Sequence, residues 1–472
     1  MTRPDPVFLI EIPPEHQAER EYALAVLFGD WLGSSHALRV VDDRHETRVS
    51  LASEPDGASI VLPDVLFAPR TPFLTPGSLP SSPLATVDLP AWAGGDGRLP
   101  LLYATGAATD DLVDRRGDRF VLRLDLLGSL FFLVTRYEEY IRPEARDEHG
   151  RFPASASVLA PSGWLQWPIL DMYVHVFVAL LRLAWPRLEL PRPEAPNLIV
   201  EHDVDHPSSS IRWHGPQRAR IVAGDLLRRR DAGLAVRRAR SFLARTGTLS
   251  RLDPFNTYDF LMRASEAAGV VGTFFFLARD TDVPYGSRYQ LDEPWVGRLM
   301  AEIAARGHHI GLHGSYPSWN DADRLAEEWA ALAAACRDLP AGVLRRTIRQ
   351  HFLRWQAGLT WPAQERAGLA MDETLGFADS IGYRAGTARS FAAYDLGQRR
   401  QLALRVQPLH VMDQTLLGYM SLDPDEALAR VVEMGRRTRT YGGSLSVLWH
   451  NSTLVTRPVR SFYLRMLSEL SR

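Results

Sequence analysis

The residues best equipped for chemistry fall in four short stretches, each closing an apolar run. They are Glu201-His202-Asp203-Val204-Asp205-His206, the stretch Gly307 to Pro317 that contains His313, Arg349-Gln350-His351, and His450-Asn451. In a strand, residues two apart face the same way, so Asp203 and Asp205 would share one side at the strand's mouth. One carboxylate of such a pair can hold a divalent cation while the other takes a proton from water. Taken alone, Asp-x-Asp is more often a surface turn, and a single strand-end histidine is more often structural than catalytic. Four separate strands that all end in Asp or His favour a site.

His309 and His313 have the spacing of a metal-binding pair on a helix. Read as a strand, however, residues 308–312 carry the chain forward so that His309 and His313 lie roughly 13 Å apart, too far to share one cation with bonds of about 2 Å. Only His313 is then placed for the site, with His308 and His309 read as structural.

The elements that must position these groups alternate. Strand-like runs 197–204, 272–277, 308–312, 346–350 and 445–449 are separated by helical stretches 258–268, 295–306 and 321–339. Gly269 and Gly307 are read as C-terminal caps, Asp292 as an N-cap and Pro294 as a first-turn residue. The pattern predicts an α/β fold, either a (β/α) barrel or a doubly wound sheet, in which strand ends carry the chemistry. Prolines 186, 191, 193 and 196 place a linker near residue 193. Before it, 7–12 reads as a strand, 19–32 as an amphipathic helix, and 59–62 as a short strand in a loop-rich α/β domain. The expected domains are therefore 1–192 and 193–472.

With 472 residues, 46% hydrophobic and 23% charged, the chain can bury a large core. A net charge of −2 gives no global attraction to nucleic acid. All 54 basic residues are arginine, and the lack of lysine excludes P-loop, Schiff-base and pyridoxal chemistry. Cys336, the single cysteine, reads as a small buried apolar residue. No apolar run is long enough to span a bilayer and no signal-peptide pattern opens the chain, so a cytoplasmic location is the expectation. The stretch 212–251 holds eleven arginines. A solvated helix face is the commoner meaning. The sharper reading is a basic flap for an anionic or lipid-linked substrate or for peripheral contact with an anionic membrane.

Residues 197–455 resemble the polysaccharide deacetylase family of metal-dependent carbohydrate esterases. The likeness rests on Asp203-Val204-Asp205, Gly272-Thr273-Phe274-Phe275-Phe276, Gly307-His308-His309-Ile310-Gly311-Leu312-His313, Arg349 and Leu448-Trp449-His450. It implies a distorted (β/α) barrel with Asp203 as catalytic base, Asp205 and His313 as metal ligands, Arg349 holding the base and keeping it ionised, and His450 as general acid. The family's second metal histidine falls at Pro317, which has no ligand atom, so His351 is the candidate replacement. The chain is also similar to a subset of the family with an additional N-terminal domain of unknown role, through Thr135-Arg136-Tyr137-Glu138-Glu139-Tyr140, Gly150-Arg151-Phe152, Pro168-Ile169-Leu170-Asp171 and Gly382-Tyr383-Arg384-Ala385-Gly386-Thr387. Arg384, Tyr316 and Trp449 are candidate substrate-binding residues, although a structural pairing of Arg384 with Asp379 is at least as well supported. The implied reaction is Zn²⁺-dependent removal of N-acetyl groups from a carbohydrate in bacterial surface polysaccharide synthesis. The alternatives are a non-catalytic glycan-binding protein on the same scaffold and a hydrolase of a non-sugar C–N bond.

Overall fold

The computed structural model describes residues 7–94, 97–106, 111–191, 195–243, 249–279, 285–286 and 289–472. The expected linker position at residue 193 lies outside them.

The N-terminal half builds a mixed sheet from β1 (Phe8–Ile12), β2 (His36–Val40), β3 (Thr47–Leu51), β4 (Glu54–Leu62), β7 (Val113–Arg116) and β8 (Arg119–Leu122), in the order β2-β1-β3-β4-β8-β7. A separate antiparallel pair joins β5 (Ala85–Asp88) to β6 (Arg98–Leu101). Helices Leu126–Val134 and Ile169–Ala184 bury apolar faces against this half. The helix expected over 19–32 is α-helical only over Gln17–Leu24 and continues as a π-helix over Ala25–Trp31.

The second half forms a nine-stranded sheet. Its strands are β9 (Asn197–Val204), β10 (Gly272–Leu277), β11 (His309–Gly314), β12 (Leu344–Gln350), β13 (Met371–Asp372), β14 (Phe391–Asp395), β15 (Arg400–Val406), β16 (Val411–Met412) and β17 (Ser444–Leu448), in the order β14-β15-β13-β12-β11-β10-β9-β17-β16. All neighbours are parallel except β14 and β15. Helices Tyr258–Ala267, Pro294–Ala305 and Ala322–Ala335 supply crossovers, as the sequence pattern requires. Strand β10 shows why such strands read as unbroken apolar runs: Phe274, Phe275, Phe276 and Leu277 are all fully buried, as expected for a strand covered on both faces. Gly269 and Gly307 take left-handed conformations after their helices. The N-cap expected at Asp292 is instead Glu293, in extended conformation and without a side-chain cap bond, with Pro294 opening the helix. No described helix is long and apolar enough to cross a membrane.

One apolar cluster runs from Phe8 in the first sheet to Leu470 at the end of the chain, so the two halves share a core. Polar contacts stitch the same boundary. Tyr22 donates its hydroxyl to the Ala392 carbonyl (2.6 Å), Trp31 its indole N–H to Ser390 (3.0 Å), and Arg399 pairs with Glu19 (2.6 Å). Gly386 (φ +67°) lies so close to Leu133 that a Cβ there would meet Leu133 Cδ1 at 2.6 Å, which accounts for the glycine.

Candidate functional site

Parallel pairing brings the chemical residues to one edge of the second sheet. Leu277 of β10 is level with His313 of β11, and His313 is level with Arg349 of β12. Asp203 and Asp205 close β9, and His450 follows β17 on the other side of β9. This is the carboxyl end of the strands, where open and closed α/β sheets keep their ligands.

Asp205, His313 and His351 each offer one donor atom, and these atoms all lie within 4.8 Å of one another. His313 Nδ1 is 2.7 Å from the Arg349 carbonyl. A carbonyl only accepts, so Nδ1 carries a proton and Nε2 is the ring atom turned to the carboxylates; burial disfavours charge on His313, but Asp203 and Asp205 raise it above the usual histidine value. Nε2 is 2.9 Å from Asp205 Oδ1 and 3.6 Å from Asp203 Oδ2. The first pair is not aligned as a hydrogen bond, and among the described residues both atoms are buried without a hydrogen-bond partner. His351 Nε2 stands 3.5 Å from the other oxygen, Asp205 Oδ2. Burial opposes charge on Asp205, yet His351 and His313 hold its carboxyl well below the usual range. Two imidazoles and one carboxylate, with buried donor atoms left over, fit a divalent cation with open coordination positions.

Asp203 is 3% exposed, and burial pushes its carboxyl upward against the pull of His313, Arg349 and His450. Arg349 serves it less directly than the sequence implies. The guanidinium is fully buried, its Nη2 lies 2.5 Å from Glu201 Oε2, and Nε is 3.8 Å from Asp203 Oδ1. Glu201, two residues before Asp203 on the same face of β9, is therefore the principal counter-ion of Arg349. Arg349 is one of three cationic groups that draw Asp203 down against its burial, after His313 and before His450.

On the opposite side His450 Nε2 lies 3.6 Å from Asp205 Oδ2 and 3.9 Å from Asp203 Oδ2. Its Nδ1 is 2.7 Å from Asp413 Oδ1, and Asp413 Oδ2 accepts from the His450 backbone N–H (3.0 Å) and the Thr453 hydroxyl (2.6 Å). Burial disfavours the imidazolium, but Asp413 more than offsets it and raises His450 to about 10. Asp413 is the residue that sequence reasoning missed. It follows the two-residue strand β16, too short for periodicity to register.

A cavity of about 540 Å³ opens over these groups, lined by Asp203, Asp205, His351, His450, Phe352, Tyr285, Phe255, Tyr419 and, from the N-terminal half, Arg151. The three residues expected to bind substrate do not line it. Trp449 is fully buried with its ring against Phe462 and Tyr463. Arg384 is 1% exposed and bound to Glu139 through Nε (2.9 Å) and Nη2 (2.6 Å), while Asp379 accepts from the Ala154 backbone. Its partner is thus neither a substrate nor Asp379. Tyr316 stands one layer back, stacked on Tyr285 at 4.2 Å. His308 and His309 are structural: His308 Nδ1 accepts from the Gly272 N–H (3.0 Å), and His309 Nε2 is 3.3 Å from Arg345. Pro317 is exposed and opens a short 3-10 turn. The Arg-rich stretch folds as helices Pro216–Leu227 and Ala232–Phe242, with Arg238 and Arg229 paired to buried Asp225 and with Leu227 79% and Leu243 86% exposed.

Residues 8–186 match a family of unknown function, DUF7033. No curated protein matches the chain. A crystal structure from Mycobacterium smegmatis assigned as a polysaccharide deacetylase is similar at 16% identity, over 60% of this chain and 86% of that one, with a TM-score of 0.38, too low a likeness to carry an argument.

Proposed function

We propose that the protein is a metal-dependent hydrolase that removes N-acetyl groups from a carbohydrate, on a distorted (β/α) barrel. The observation that carries this reading is the convergence, at one sheet edge, of a two-histidine, one-carboxylate donor set flanked by a free carboxylate on one side and a charged histidine on the other. The resemblance of the same residues to polysaccharide deacetylase motifs supplies the substrate class.

Asp205, His313 and His351 would hold the cation, with Zn²⁺ the natural choice for that donor set. When bound, it supplies Lewis acidity and makes water a stronger acid. Asp203, 3.6 Å from His313, takes the proton from the attacking water. Arg349 and Glu201 fix the floor beneath it. His450, charged through Asp413, donates its Nε2 proton to the departing nitrogen. The cavity volume falls within the range of small-molecule sites, roughly 300–1,000 Å³. The reading extends to an anionic or lipid-linked glycan through the arginine-rich helix pair 216–242, which touches the cavity wall where buried Arg238 lies over the ring of Phe255.

Metal analysis with acetate release from N-acetylated glucosamine oligomers tests the proposal. Asp203→Asn is expected to keep metal and lose turnover, and His313→Ala to lose both. His351→Ala should lower metal content, and if it does not, His351 is no ligand. Wild-type protein with neither metal nor acetate release would leave the glycan-binding alternative standing, whereas ammonia release would indicate a different C–N bond.

A further inference from the structure

We propose that the N-terminal half is a working part of the site: its loop 147–151 clamps the turn 351–354 and thereby sets His351 against Asp205, with Arg151 as the positioning residue. The inference rests on the reading of His351 as a ligand, and it gives the DUF7033 region a role.

The turn needs a clamp. Strand β12 ends at Gln350, and the next residues cannot simply extend it, because Phe352 (φ +62°) and Leu353 (φ +54°) are both left-handed. Non-glycine residues rarely adopt this region, and two bulky ones in succession persist only where the surroundings impose them. His351 is the residue immediately before, so the direction of its ring depends on whether this turn holds.

The second half packs Leu353 against Ala378, Leu409, Met412 and Leu448 and Phe352 against Tyr285 and Tyr316, and the other half of the chain supplies the hydrogen bonds that hold the turn from outside. Arg151 Nη1 donates to the Phe352 carbonyl (3.2 Å), and Arg354 Nε donates back to the His149 carbonyl (3.0 Å). The His149 ring packs on the Phe352 ring at 4.7 Å, and Phe352 in turn packs on His351 at 4.7 Å. The loop is itself pre-built. Asp147 Oδ1 accepts from the backbone N–H groups of His149 and Arg151 (both 2.9 Å), and Oδ2 from Arg151 Nε (2.7 Å). A third donor of Arg151, Nη2, reaches the Tyr419 hydroxyl (3.0 Å). Arg151 is 5% exposed yet lines the cavity, so one planar guanidinium joins loop, turn and cavity wall.

Two readouts test the clamp. In metal-free protein, carbethoxylation of histidines followed by peptide mass spectrometry should show His351 becoming several-fold more reactive in Arg151→Ala, with His450 unchanged. In Zn²⁺ titrations the same variant should bind ~10–100-fold more weakly, the usual cost of removing a group that orients a ligand. In a His351→Ala background Arg151→Ala should then cost nothing further. Arg151→Lys, which keeps charge but not the three-way fork, should behave like Arg151→Ala. Should Arg151→Ala not fold, His149→Ala, which removes the ring packed on Phe352, is expected to show the same effects in weaker form. Unchanged His351 reactivity, reactivity rising equally at every histidine, or a full additional loss in the His351→Ala background would each overturn the clamp. Failure of wild-type protein to bind any divalent ion would instead defeat the metal reading, and the carbethoxylation result would still judge the clamp.

Discussion

Replacing Arg384 should destabilise the whole protein rather than weaken a substrate. Arg384 and Glu139 sit on opposite halves of the chain and are both almost fully buried. Glu139 accepts from Arg384 Nε (2.9 Å) and Nη2 (2.6 Å) and from Arg136 Nε (2.9 Å), with Arg146 at 3.4 Å. Burial alone would push this carboxyl up, but Arg384, followed by Arg136, holds it at about 2 instead of 4.5. At about 1.4 kcal/mol per tenfold change in proton affinity, that displacement corresponds to ~3 kcal/mol, within the ~3–5 kcal/mol expected when one partner of a buried pair is removed. Arg384→Met should therefore lower the guanidinium chloride midpoint by an amount equivalent to ~3 kcal/mol. The pH dependence has a definite sign. A depressed carboxyl contributes stability that is fully present above the unfolded value near 4.5 and is lost as pH falls toward about 2. The gap between wild type and variant should thus be constant from pH 7 to about 5 and narrow in acid. A variant that unfolds at the wild-type denaturant concentration, or a gap that stays constant in acid, would refute the reasoning.

Three further outcomes are expected. Asp413→Asn should reduce turnover about 100-fold while metal content stays the same, because it removes the charge that keeps His450 protonated and oriented; an unaltered rate would exclude His450 as the acid. If the basic stretch makes the expected peripheral contact with an anionic membrane, exchanging exposed Arg228, Arg229 and Arg230 together for Gln should weaken sedimentation with phosphatidylserine vesicles about 100-fold, at about 1 kcal/mol per arginine near an anionic surface, and equal partitioning would leave these arginines as a solvated helix face. Cys336 is 5% exposed and its thiol is pushed up to about 12 by burial, so Ellman's reagent should label it only as the protein unfolds, and prompt labelling would contradict the packing.

The strand-end residues were legible in sequence because each closes a local apolar run. Asp203, Asp205, His313, His351 and His450 all arrive at one sheet edge, and the strand argument that separates His309 from His313 agrees with β11. What could not be read were partnerships between residues far apart in the chain. Asp413 is 37 residues from His450 and follows a strand of two residues. For Arg384 the sequence offers a substrate or nearby Asp379 as partner, but the partner, Glu139, lies 245 residues away. Trp449 is a candidate for substrate binding in sequence because it adjoins His450, yet alternation along the backbone turns successive side chains to opposite faces, and the indole enters the core.

The segments that mark the N-terminal likeness gain a common meaning from these partnerships. Arg136 and Glu139 meet Arg384, with a further hydrogen bond from Arg136 to the Arg384 carbonyl. Asp171 accepts from the Thr387 hydroxyl (2.7 Å) and the Ala388 N–H (2.8 Å), and Leu170 N–H donates to Gly386 (2.8 Å). Arg151 holds Phe352. Each segment that carries the resemblance thus has contacts on the seam between the two sheets, and the seam ends at the cavity. Residues at such a seam are constrained twice, once by buried charge pairing and once by the geometry of the turn that carries His351. Excising residues 1–192 would therefore strip counter-ions from Arg384 and Arg389 and release the His351 turn at the same time, so the second sheet should retain neither its stability nor its donor set without the first.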